Sequence, residues 1–344
     1  MTVMEAIVYS TIGDSSVLQL VERDIPSPGP GEVRVRVAVS GVNPTDWKSR
    51  AGTRRMAFDE VVPNQDGAGV IDAVGDGVRD LSAGDRVWLF LAQHGSPSGT
   101  AQEYTVVPAS RAIPLPEGID FAAAASLGVP AMTAHRALTV HEFGPSRLAP
   151  GALDGRTVLV AGGAGAVGHA AIQLAVWAGA AVIATVSSDE KAALAEAAGA
   201  HHVVRYTDDD AAEQIRRIAP KGVEQIVEVA PGANARLDLQ VIANHASIAY
   251  YANEGGDEII IPVQPSFAKN LRVQGVLVYT VGEAAWRAAA EDVTAALRDG
   301  ALPVGEEAGL PLTWFPLAET AAAHDAVEGG AVGKVLIEVT PAIR

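Results

Sequence analysis

The sequence predicts an α/β protein in which a strand-rich region is followed by a doubly wound parallel sheet. Three observations carry this prediction, of which the first two are strand-like alternation up to about residue 126 and apolar strands alternating with helices from about 127 to 279. A glycine-rich turn between the first strand and first helix of the second region is the third. The 344 residues, 49% of them hydrophobic, are enough for two domains with proper cores.

The first region has the alternation typical of half-buried strands. Segments 32–41, 67–75 and 85–90 are predicted strands, separated by turns rich in glycine, proline and aspartate. Four residues fall on one face of the first of these strands: Val33, Val35, Val37 and Val39. The last part of the chain adds predicted helices at 283–298 and 317–328 and a strand at 334–340. These elements indicate a domain built mainly on a sheet.

The second region alternates between the two kinds of element. The predicted strands are 157–161, 181–186, 202–205, 224–229, 247–251 and 272–278. The predicted helices are 167–178, 189–197 and 208–218. Strands separated by helices in this way favour a parallel sheet with helices on its faces.

The glycine-rich turn predicts a dinucleotide site. Gly163, Gly165 and Gly168 satisfy G-x-G-x-x-G, and Gly162, with the last two, satisfies G-x-x-G-x-x-G. Glycine here allows a tight turn, close approach of a pyrophosphate, and close helix packing, with the phosphates on a helix N-terminus. The residues predicted to bind are Gly162, Gly163, Ala164, Gly165, Ala166, Val167 and Gly168. The alternative is an ordinary turn between a strand and a helix.

The end of the next strand predicts which dinucleotide binds. NAD sites usually place an acidic residue about twenty positions after the glycines, where it binds the ribose 2′-hydroxyl. Here the strand ends in Ser187 and Ser188, and no carboxylate occurs before Asp189. Lys191 and the pair Arg205-Tyr206 add cations and a hydroxyl that suit a 2′-phosphate, so the sequence favours NADPH over NADH. The two serines are also suited to capping the following helix, and both roles are compatible.

Composition and charge argue against several classes of protein. The formal net charge of −16 disfavours nucleic acid and anionic membranes as partners, and it favours solubility. The chain has no cysteine, so disulfides and thiolate zinc sites are impossible, and its eight histidines show no metal-binding spacing. With no secretory signal pattern and no apolar run of membrane-spanning length, we expect a cytoplasmic protein.

Motifs spread over nearly the whole length resemble one family. They are Gly41-Val42-Asn43-Pro44, the segments 66–75, 83–87 and 128–138, the glycine loop 162–168, and Gly333-Lys334-Val335. Their order and spacing resemble those of the medium-chain dehydrogenase/reductase superfamily, in its zinc-free quinone oxidoreductase (ζ-crystallin-like) branch. As a set they are far more specific than the glycine loop alone.

The resemblance implies a discontinuous catalytic domain with an inserted cofactor domain. Residues 1–126 and 280–344 would form a GroES-like β-barrel domain, and 127–279 a Rossmann domain that binds NADPH. Relatives are commonly dimeric or tetrameric through the last strand of the Rossmann sheet, which implies a homodimer through 272–280. The apolar segment 271–278 supports this, because an exposed apolar edge strand needs cover.

The resemblance also implies positions around the cofactor. Asn43 would lie near the nicotinamide, Thr133 by its carboxamide and ribose, and the turn 165–168 on the pyrophosphate. The residues that fall where relatives bind the 2′-phosphate are Ser187, Lys191 and Tyr206. Those in segments that line the cofactor are Asn234, Tyr250 and Lys334.

Two residues are predicted to act on the hydride acceptor. Relatives often carry a tyrosine where this chain has Lys48, five residues after Asn43. Hydride transfer to a quinone or enone needs a positioned nicotinamide and a group that stabilises the developing oxyanion. We predict that Asn43 donates a hydrogen bond to the acceptor or the ring and that Lys48 stabilises the charge. The alternatives are a turn residue before Pro44, and a lysine that is solvated or paired with Asp46.

Three functions are compatible with these predictions. The first is NADPH:quinone oxidoreductase by zinc-independent hydride transfer. The second is an NADPH-dependent enone or enoyl reductase, in which a carbon–carbon double bond is the acceptor. The third is a dinucleotide-binding protein with a structural or sensing role. The sequence does not decide the acceptor, because the pocket depends on loops 47–62 and 91–101.

Overall fold

The computed structural model describes residues 3–53 and 55–341; residues 1, 2, 54 and 342–344 of the predicted first domain lie outside the described part. In chain order the strands are β1 (Val3–Val8), β2 (Gln19–Asp24), β3 (Glu32–Val42), β4 (Asp66–Val74), β5 (Arg86–Leu89), β6 (Tyr104–Pro108), β7 (Ala112–Pro114), β8 (Thr157–Ala161), β9 (Ala181–Val186), β10 (His202–Arg205), β11 (Val223–Glu228), β12 (Ile242–Tyr250), β13 (Arg272–Gly275), β14 (Leu312–Pro316) and β15 (Lys334–Glu338). The α-helices are α1 (Pro44–Arg50), α2 (Phe121–Ala125), α3 (Gly128–Leu138), α4 (Ala166–Trp177), α5 (Asp189–Ala197), α6 (Ala211–Ile218), α7 (Pro231–Val241), α8 (Val263–Phe267), α9 (Glu283–Arg298) and α10 (Thr320–Glu328).

The chain divides into two compact units. The first unit comprises residues 1–129 and 311–344, and the second unit comprises residues 130–310. The first boundary lies close to the predicted one, which follows residue 126. The second boundary follows residue 310 instead of residue 279, so the segment 280–310 belongs to the second unit and not to the predicted catalytic domain.

Hydrogen bonds explain why the segment 280–310 stays with the second unit. On α9, Asp292 Oδ2 lies 2.8 Å from His135 Nε2 of α3 and accepts from the Leu148 N–H at 2.7 Å. On α4, Trp177 Nε1 donates to Asp299 and Gln173 Nε2 to the Pro303 carbonyl, each at 2.9 Å. These partners are more than a hundred residues away in the chain, so local sequence patterns did not indicate them.

The first unit is built on a seven-stranded sheet. Its strand order is β14-β15-β3-β4-β5-β7, and β6 also pairs with β3. Only β14 and β15 pair in parallel; the other pairs are antiparallel. The strand β3 carries the predicted apolar face, whose members Val33, Val35, Val37 and Val39 are all buried. The strands β1 and β2 form a separate antiparallel pair.

The second unit is a doubly wound sheet, as predicted. Its six strands are all parallel, in the order β10-β9-β8-β11-β12-β13. The strand order reverses between β8 and β11. In open sheets of this kind, ligands bind outside the carboxyl ends of the strands at that reversal. The glycine loop, which follows β8, lies there.

Most predicted elements of the second unit occur within a few residues of their expected ends. The helix α7 was not predicted; it begins at Pro231, and proline is well tolerated in the first turn of a helix. The strand β13 ends at Gly275, three residues earlier than predicted, and a 3₁₀ turn Val278–Thr280 follows it. Within the described residues, no helix combines the length and the apolar composition that crossing a membrane requires.

Candidate active site

The predicted glycines occupy the turn between β8 and α4, and each has a distinct role. Gly162 has φ +70°, a backbone conformation that other residues rarely adopt. A Cβ on Gly168 would overlap the Gly162 carbonyl oxygen, so Gly168 allows the helix to pack against the turn. A Cβ on Gly163 would lie only 2.9 Å from Ala184 Cβ, so Gly163 allows close packing against β9. Gly165 differs, because a Cβ there would meet only the Gly162 oxygen, at 3.4 Å.

The start of α4 has the features of an anion site. Gly165 is its N-cap residue, and no side chain caps the helix. The first N–H groups of a helix lack intrahelical partners, and the helix dipole favours negative charge beside them. Within the loop, Gly165 is exposed and Ala166 and Val167 are half-buried, whereas Ala164 is buried. The open space at Gly165, beside uncapped N–H groups at the strand-order reversal, fits a dinucleotide pyrophosphate.

The two serines that follow β9 have separate roles. Ser188 Oγ accepts from the Lys191 N–H at 3.3 Å and therefore caps α5, as the alternative interpretation expected. Ser187 takes no part in this cap, and its Oγ accepts a hydrogen bond from Lys191 Nζ at 3.2 Å. Tyr206 is exposed, and its N–H donates to the Val186 carbonyl, so it lies beside the end of β9. A hydroxyl and an ammonium group thus lie together where a 2′-phosphate was predicted.

Arg205 is held by carboxylates in the same area. Its guanidinium donates to Asp189 at 2.9 Å and to Asp208 at 3.4 Å. Both contacts are at the surface, where ion pairs contribute little to stability. Among the basic residues predicted near the 2′-phosphate, Lys191 is therefore the one paired with a hydroxyl and not with an acid.

A buried pair of carboxyl groups at the end of β11 was missed by the sequence analysis. Glu228 and Asp238 are 0% and 2% exposed. Burial raises the pKa of both groups, and the charge of Glu228 raises the pKa of Asp238 further. The predicted cofactor residue Asn234 donates to Glu228 Oε1 at 3.0 Å, as does the Ala230 N–H at 2.5 Å. The signal in the sequence that could have identified Glu228 is an acidic residue at the end of an apolar strand.

Thr133 and Tyr250 are two other predicted cofactor residues of the second unit, and the structure gives their positions. Thr133 is buried on α3. Tyr250 is half-buried at the end of β12, where its hydroxyl approaches Gly275 of the neighbouring strand. Their roles toward a cofactor stay predictions.

In the first unit, the predicted residues Asn43 and Lys334 belong to one buried polar cluster. Asn43 follows β3, Asp66 begins β4 and Lys334 begins β15, and the pairing β15-β3-β4 brings these ends together. Asn43 Nδ2 donates to Asp66 Oδ2 at 2.6 Å, and Lys334 Nζ donates to Asn43 Oδ1 at 2.7 Å. Lys334 Nζ also lies 3.4 Å from Asp66 Oδ2. Three separate motifs of the sequence thus meet at one point.

Asn43 is also the N-cap residue of α1, so it has a local structural role beside the predicted one. The Asn43 N–H donates to Asp46 Oδ2 at 2.8 Å, and Asp46 Oδ1 is a buried oxygen without a hydrogen-bond partner among the described residues. Burial, together with the charge of Asp66, raises the pKa of Asp46 to about 8. This favours the protonated form of Asp46 near neutral pH. Burial also raises the pKa of Asp66, but its charged form is favoured by Lys334 and by the hydrogen bonds that its oxygens accept from Asn43 and the Val129 N–H.

Lys48 lies on α1 and is half-buried. Its Nζ is 5.7 Å from the centroid of the Trp47 ring, a distance at which cation–π attraction acts. The carboxyl group of Asp46 is directed to the Asn43 backbone. Among the described residues, no three histidine, aspartate or glutamate side chains converge in a way that could hold a metal ion.

Comparisons with known proteins match this division of the chain. Residues 29–117 match the model of the alcohol dehydrogenase GroES-like domain, and residues 166–295 match that of the zinc-binding dehydrogenases. The chain is 32% identical to a quinone oxidoreductase of Rattus norvegicus over 97% of each sequence. The chain belongs to the medium-chain dehydrogenase/reductase superfamily, in its quinone oxidoreductase branch. The predicted fold, a GroES-like domain with a Rossmann domain, is confirmed.

Solved structures of superfamily members are similar over almost the whole chain. A quinone oxidoreductase of Pseudomonas syringae pv. Tomato DC3000 has a TM-score of 0.82 at 26% identity, covering 98% of this chain and all of its own. A mycobacterial protein in complex with NADPH has a TM-score of 0.80 at 28% identity, with the same coverage. The second unit of this superfamily member is thus a nicotinamide dinucleotide-binding domain.

Proposed function

We propose that this protein is a zinc-independent NADPH:quinone oxidoreductase. The observation that carries the proposal is the loop after β8, where open space at Gly165 lies beside the uncapped start of α4. The Ser187–Lys191 pair supports NADPH as the dinucleotide, because it offers a hydroxyl group and a positive charge that suit a 2′-phosphate. The relatives described as quinone oxidoreductases support a quinone as the acceptor.

The remaining residues bind and orient the reactants in this proposal. When bound, the reduced nicotinamide supplies the hydride. Asn43 keeps a second Nδ2 hydrogen for a carbonyl oxygen, and the Lys48 ammonium group stabilises the negative charge that develops on the acceptor oxygen. The further residues proposed to line the cofactor are Thr133, Ser188, Tyr206, Asn234, Tyr250 and Lys334.

The assay that tests this function follows NADPH oxidation with a quinone and with an α,β-unsaturated ketone in parallel. NADH controls and blanks without enzyme accompany both. We expect turnover with NADPH and the quinone. Turnover with the ketone alone would assign the protein to the enone reductases instead. Tight NADPH binding without turnover of the quinone or the ketone would indicate a binding or structural role instead of catalysis.

Replacing Lys48 with methionine is expected to lower kcat for the quinone about tenfold or more and to leave the NADPH dissociation constant nearly unchanged. A cation in a site of low water content stabilises a developing oxyanion more strongly than the ground state. Stopped-flow single turnovers and NADPH fluorescence titrations measure the two quantities. Lys221, an exposed lysine of the second unit, gives the matched control Lys221→Met. Unchanged single-turnover rates in Lys48→Met would remove Lys48 from the mechanism.

Replacing Lys191 with methionine is expected to raise KM for NADPH about tenfold to a hundredfold while KM for NADH changes little. The expected size is that of one charge-assisted hydrogen bond. Lys221→Met is the control, because it removes the positive charge of an exposed lysine of the second unit that lies outside the proposed site. It should leave the ratio of the two KM values unchanged. An equal rise in both KM values for Lys191→Met would contradict a contact with the 2′-phosphate.

We also propose that the protein is a homodimer through the segment 272–280. Within the described residues β13 pairs only with β12, and all four of its residues are exposed. Leu277 and Val273 expose apolar surface at this edge, which favours pairing with a second copy. Val273→Lys together with Leu277→Lys should reduce the mass in light scattering to that of one 35.4 kDa chain. The control Trp314→Lys, on the exposed edge strand β14, should not; a wild-type monomer would refute the dimer.

A further inference from the structure

We propose that Asp66 and Lys334 are positioning residues that hold Asn43 as a hydrogen-bond donor to a carbonyl oxygen of the bound reactants. The inference rests on the proposed function, since it assigns a partner in that reaction to the second Nδ2 hydrogen of Asn43, which has no acceptor among the described residues. Asn43 and Lys334 are each 2% exposed and Asp66 is fully buried. A ligand can therefore meet only one edge of the amide, and the direction of that edge decides what it recognises.

The chemistry of the two neighbours fixes the direction of the Asn43 amide. An ammonium group only donates, so the atom 2.7 Å from Lys334 Nζ must be the amide oxygen. Asp66 accepts at both oxygens, Oδ1 from the Val129 N–H at 2.8 Å and Oδ2 from Asn43 Nδ2 at 2.6 Å. Rotating the amide by half a turn would place its NH₂ against the ammonium group and its oxygen against the carboxylate. Both contacts would be repulsive, so the remaining Nδ2 hydrogen keeps one direction.

Lys334 also strengthens this donor. Its positive charge beside the amide oxygen draws electron density from the amide nitrogen, and in a site of low dielectric constant this makes the Nδ2 hydrogens better donors. Asp66 contributes by holding the direction of the amide. A carbonyl oxygen that gains negative charge during hydride transfer is the acceptor that benefits most.

The backbone holds the ion pair at the two places where the chain leaves the first unit. Val129, whose N–H donates to Asp66, is the last residue of the first unit before the boundary that follows it. Pro311 is the first residue after the other boundary, and its carbonyl accepts from the Lys334 N–H at 2.9 Å. Asp66, through its side chain, and Lys334, through its backbone, are thus hydrogen-bonded to the two boundaries. These bonds limit the movement of both residues and of Asn43, which they hold.

Three glycines make these close approaches possible. A Cβ on Gly128 would overlap Asp66 Oδ1, and one on Gly333 would overlap the Pro311 carbonyl oxygen. A Cβ on Gly41 would overlap the Ala125 carbonyl oxygen and lie 3.0 Å from Lys334 Cε. These are three of the glycines in the family motifs, and here their absence of a side chain serves one buried cluster.

The experiment is a mutant cycle that compares Asn43→Ala in two backgrounds. One is the wild type, and the other is the double variant Asp66→Asn/Lys334→Met, which removes both charges and leaves no unpaired buried ion. We expect Asn43→Ala to lower kcat/KM for the quinone at least about tenfold in the wild type and less than about twofold in the double variant. The double variant alone should show most of the loss, with cooperative melting retained.

The outcomes separate this inference from its premise. Equal losses for Asn43→Ala in both backgrounds would overturn the positioning role, because a merely structural pair would act additively. A wild type without quinone turnover would overturn the proposed function and the inference together. If the double variant does not melt cooperatively, the same cycle with Asp66→Asn/Lys334→Gln decides, since it also removes both charges but keeps a polar side chain at each position.

NADPH and NADH dissociation constants, measured by fluorescence, distinguish the two sources of the carbonyl oxygen. If the cofactor carboxamide accepts the hydrogen bond, Asn43→Ala weakens the binding of both dinucleotides by the same factor. If the quinone accepts it, dinucleotide binding is unchanged and the whole loss lies in kcat/KM for the quinone. Both results support positioning when the cycle is non-additive, and an additive cycle refutes it in either case.

Discussion

Replacing Gly165 with alanine is expected to weaken NADPH binding at least about tenfold while changing the free energy of unfolding by less than about 1 kcal/mol. The backbone at Gly165 has φ −82°, which alanine adopts without strain, and the new methyl group would meet no protein atom closer than 3.4 Å. It would fill the space beside the first N–H groups of α4. A pyrophosphate could then no longer approach the backbone to hydrogen-bond distance. Fluorescence titration and urea unfolding measure the two quantities.

The neighbouring glycine provides the contrast that makes this result interpretable. In Gly168→Ala the new methyl group would overlap the Gly162 carbonyl oxygen, so the turn and the helix must move apart. We expect a loss of about 1–3 kcal/mol in the free energy of unfolding, as for other overpacked sites. Binding should fall as well, but together with stability. If Gly165→Ala binds NADPH like the wild type, the loop is an ordinary turn and the proposed cofactor site is lost.

The glycine loop also shows what the sequence could and could not predict. The pattern predicted a strand, a turn and a helix, and the elements β8 and α4 lie where expected. The pattern did not distinguish glycines needed by the fold from glycines needed by a ligand. That distinction depends on which atoms surround each Cα, and only packing in three dimensions supplies it.

The sequence predicted only some of the residues that form the buried cluster of the first unit. Asn43 and Lys334 were identified from separate motifs, 291 residues apart, but Asp66 had no predicted role although it bonds both. A motif reports which residues a family carries, whereas strand register decides which of them touch. The pairing of β15 with β3 and of β3 with β4 could not be predicted from local periodicity.

The same limit explains the misplaced domain boundary. The helix α9 was predicted with its correct ends, 283 to 298, because its pattern and length are local properties. Its attachment to the second unit depends on a carboxylate that bonds His135 and Arg147, more than 140 residues earlier. This carboxylate, Asp292, is therefore the residue whose loss should affect the second unit most.

Replacing Asp292 with alanine is expected to lower the free energy of unfolding by about 3–5 kcal/mol. Asp292 is 4% exposed, and its Oδ1 accepts two hydrogen bonds from Arg147, at 2.8 and 2.5 Å. Its Oδ2 faces His135 Nε2 and accepts from the Leu148 N–H. The alanine variant leaves the buried His135 Nε2 and Leu148 N–H without this partner, whereas the Arg147 side chain is 49% exposed and can be solvated. Urea unfolding gives the energy, and hydrogen exchange in the amides of α9 shows whether the loss is local to this helix.

Comparing Asp292→Ala with a variant of the adjacent acid Glu291 separates the effect of burial from that of charge. It also pairs with Arg147, at 2.8 Å, but its side chain is 54% exposed, so Glu291→Ala should cost less than about 1 kcal/mol. Equal losses for the two variants would show that the ion pairs with Arg147, and not the buried network, hold α9.

The pH dependence of the Asp292 effect has a definite sign. Burial raises the pKa of Asp292, but hydrogen bonds from His135, Arg147 and Leu148 outweigh it and lower the pKa below the ordinary 3.8. A carboxyl group with a lowered pKa stabilises the folded state above pH 3.8, and this contribution disappears as the pH falls through the lowered value. The difference in unfolding free energy between wild type and Asp292→Ala should therefore be constant near neutral pH and shrink only below pH 3.8. A difference that already shrinks between pH 7 and 5 would contradict a lowered pKa for Asp292.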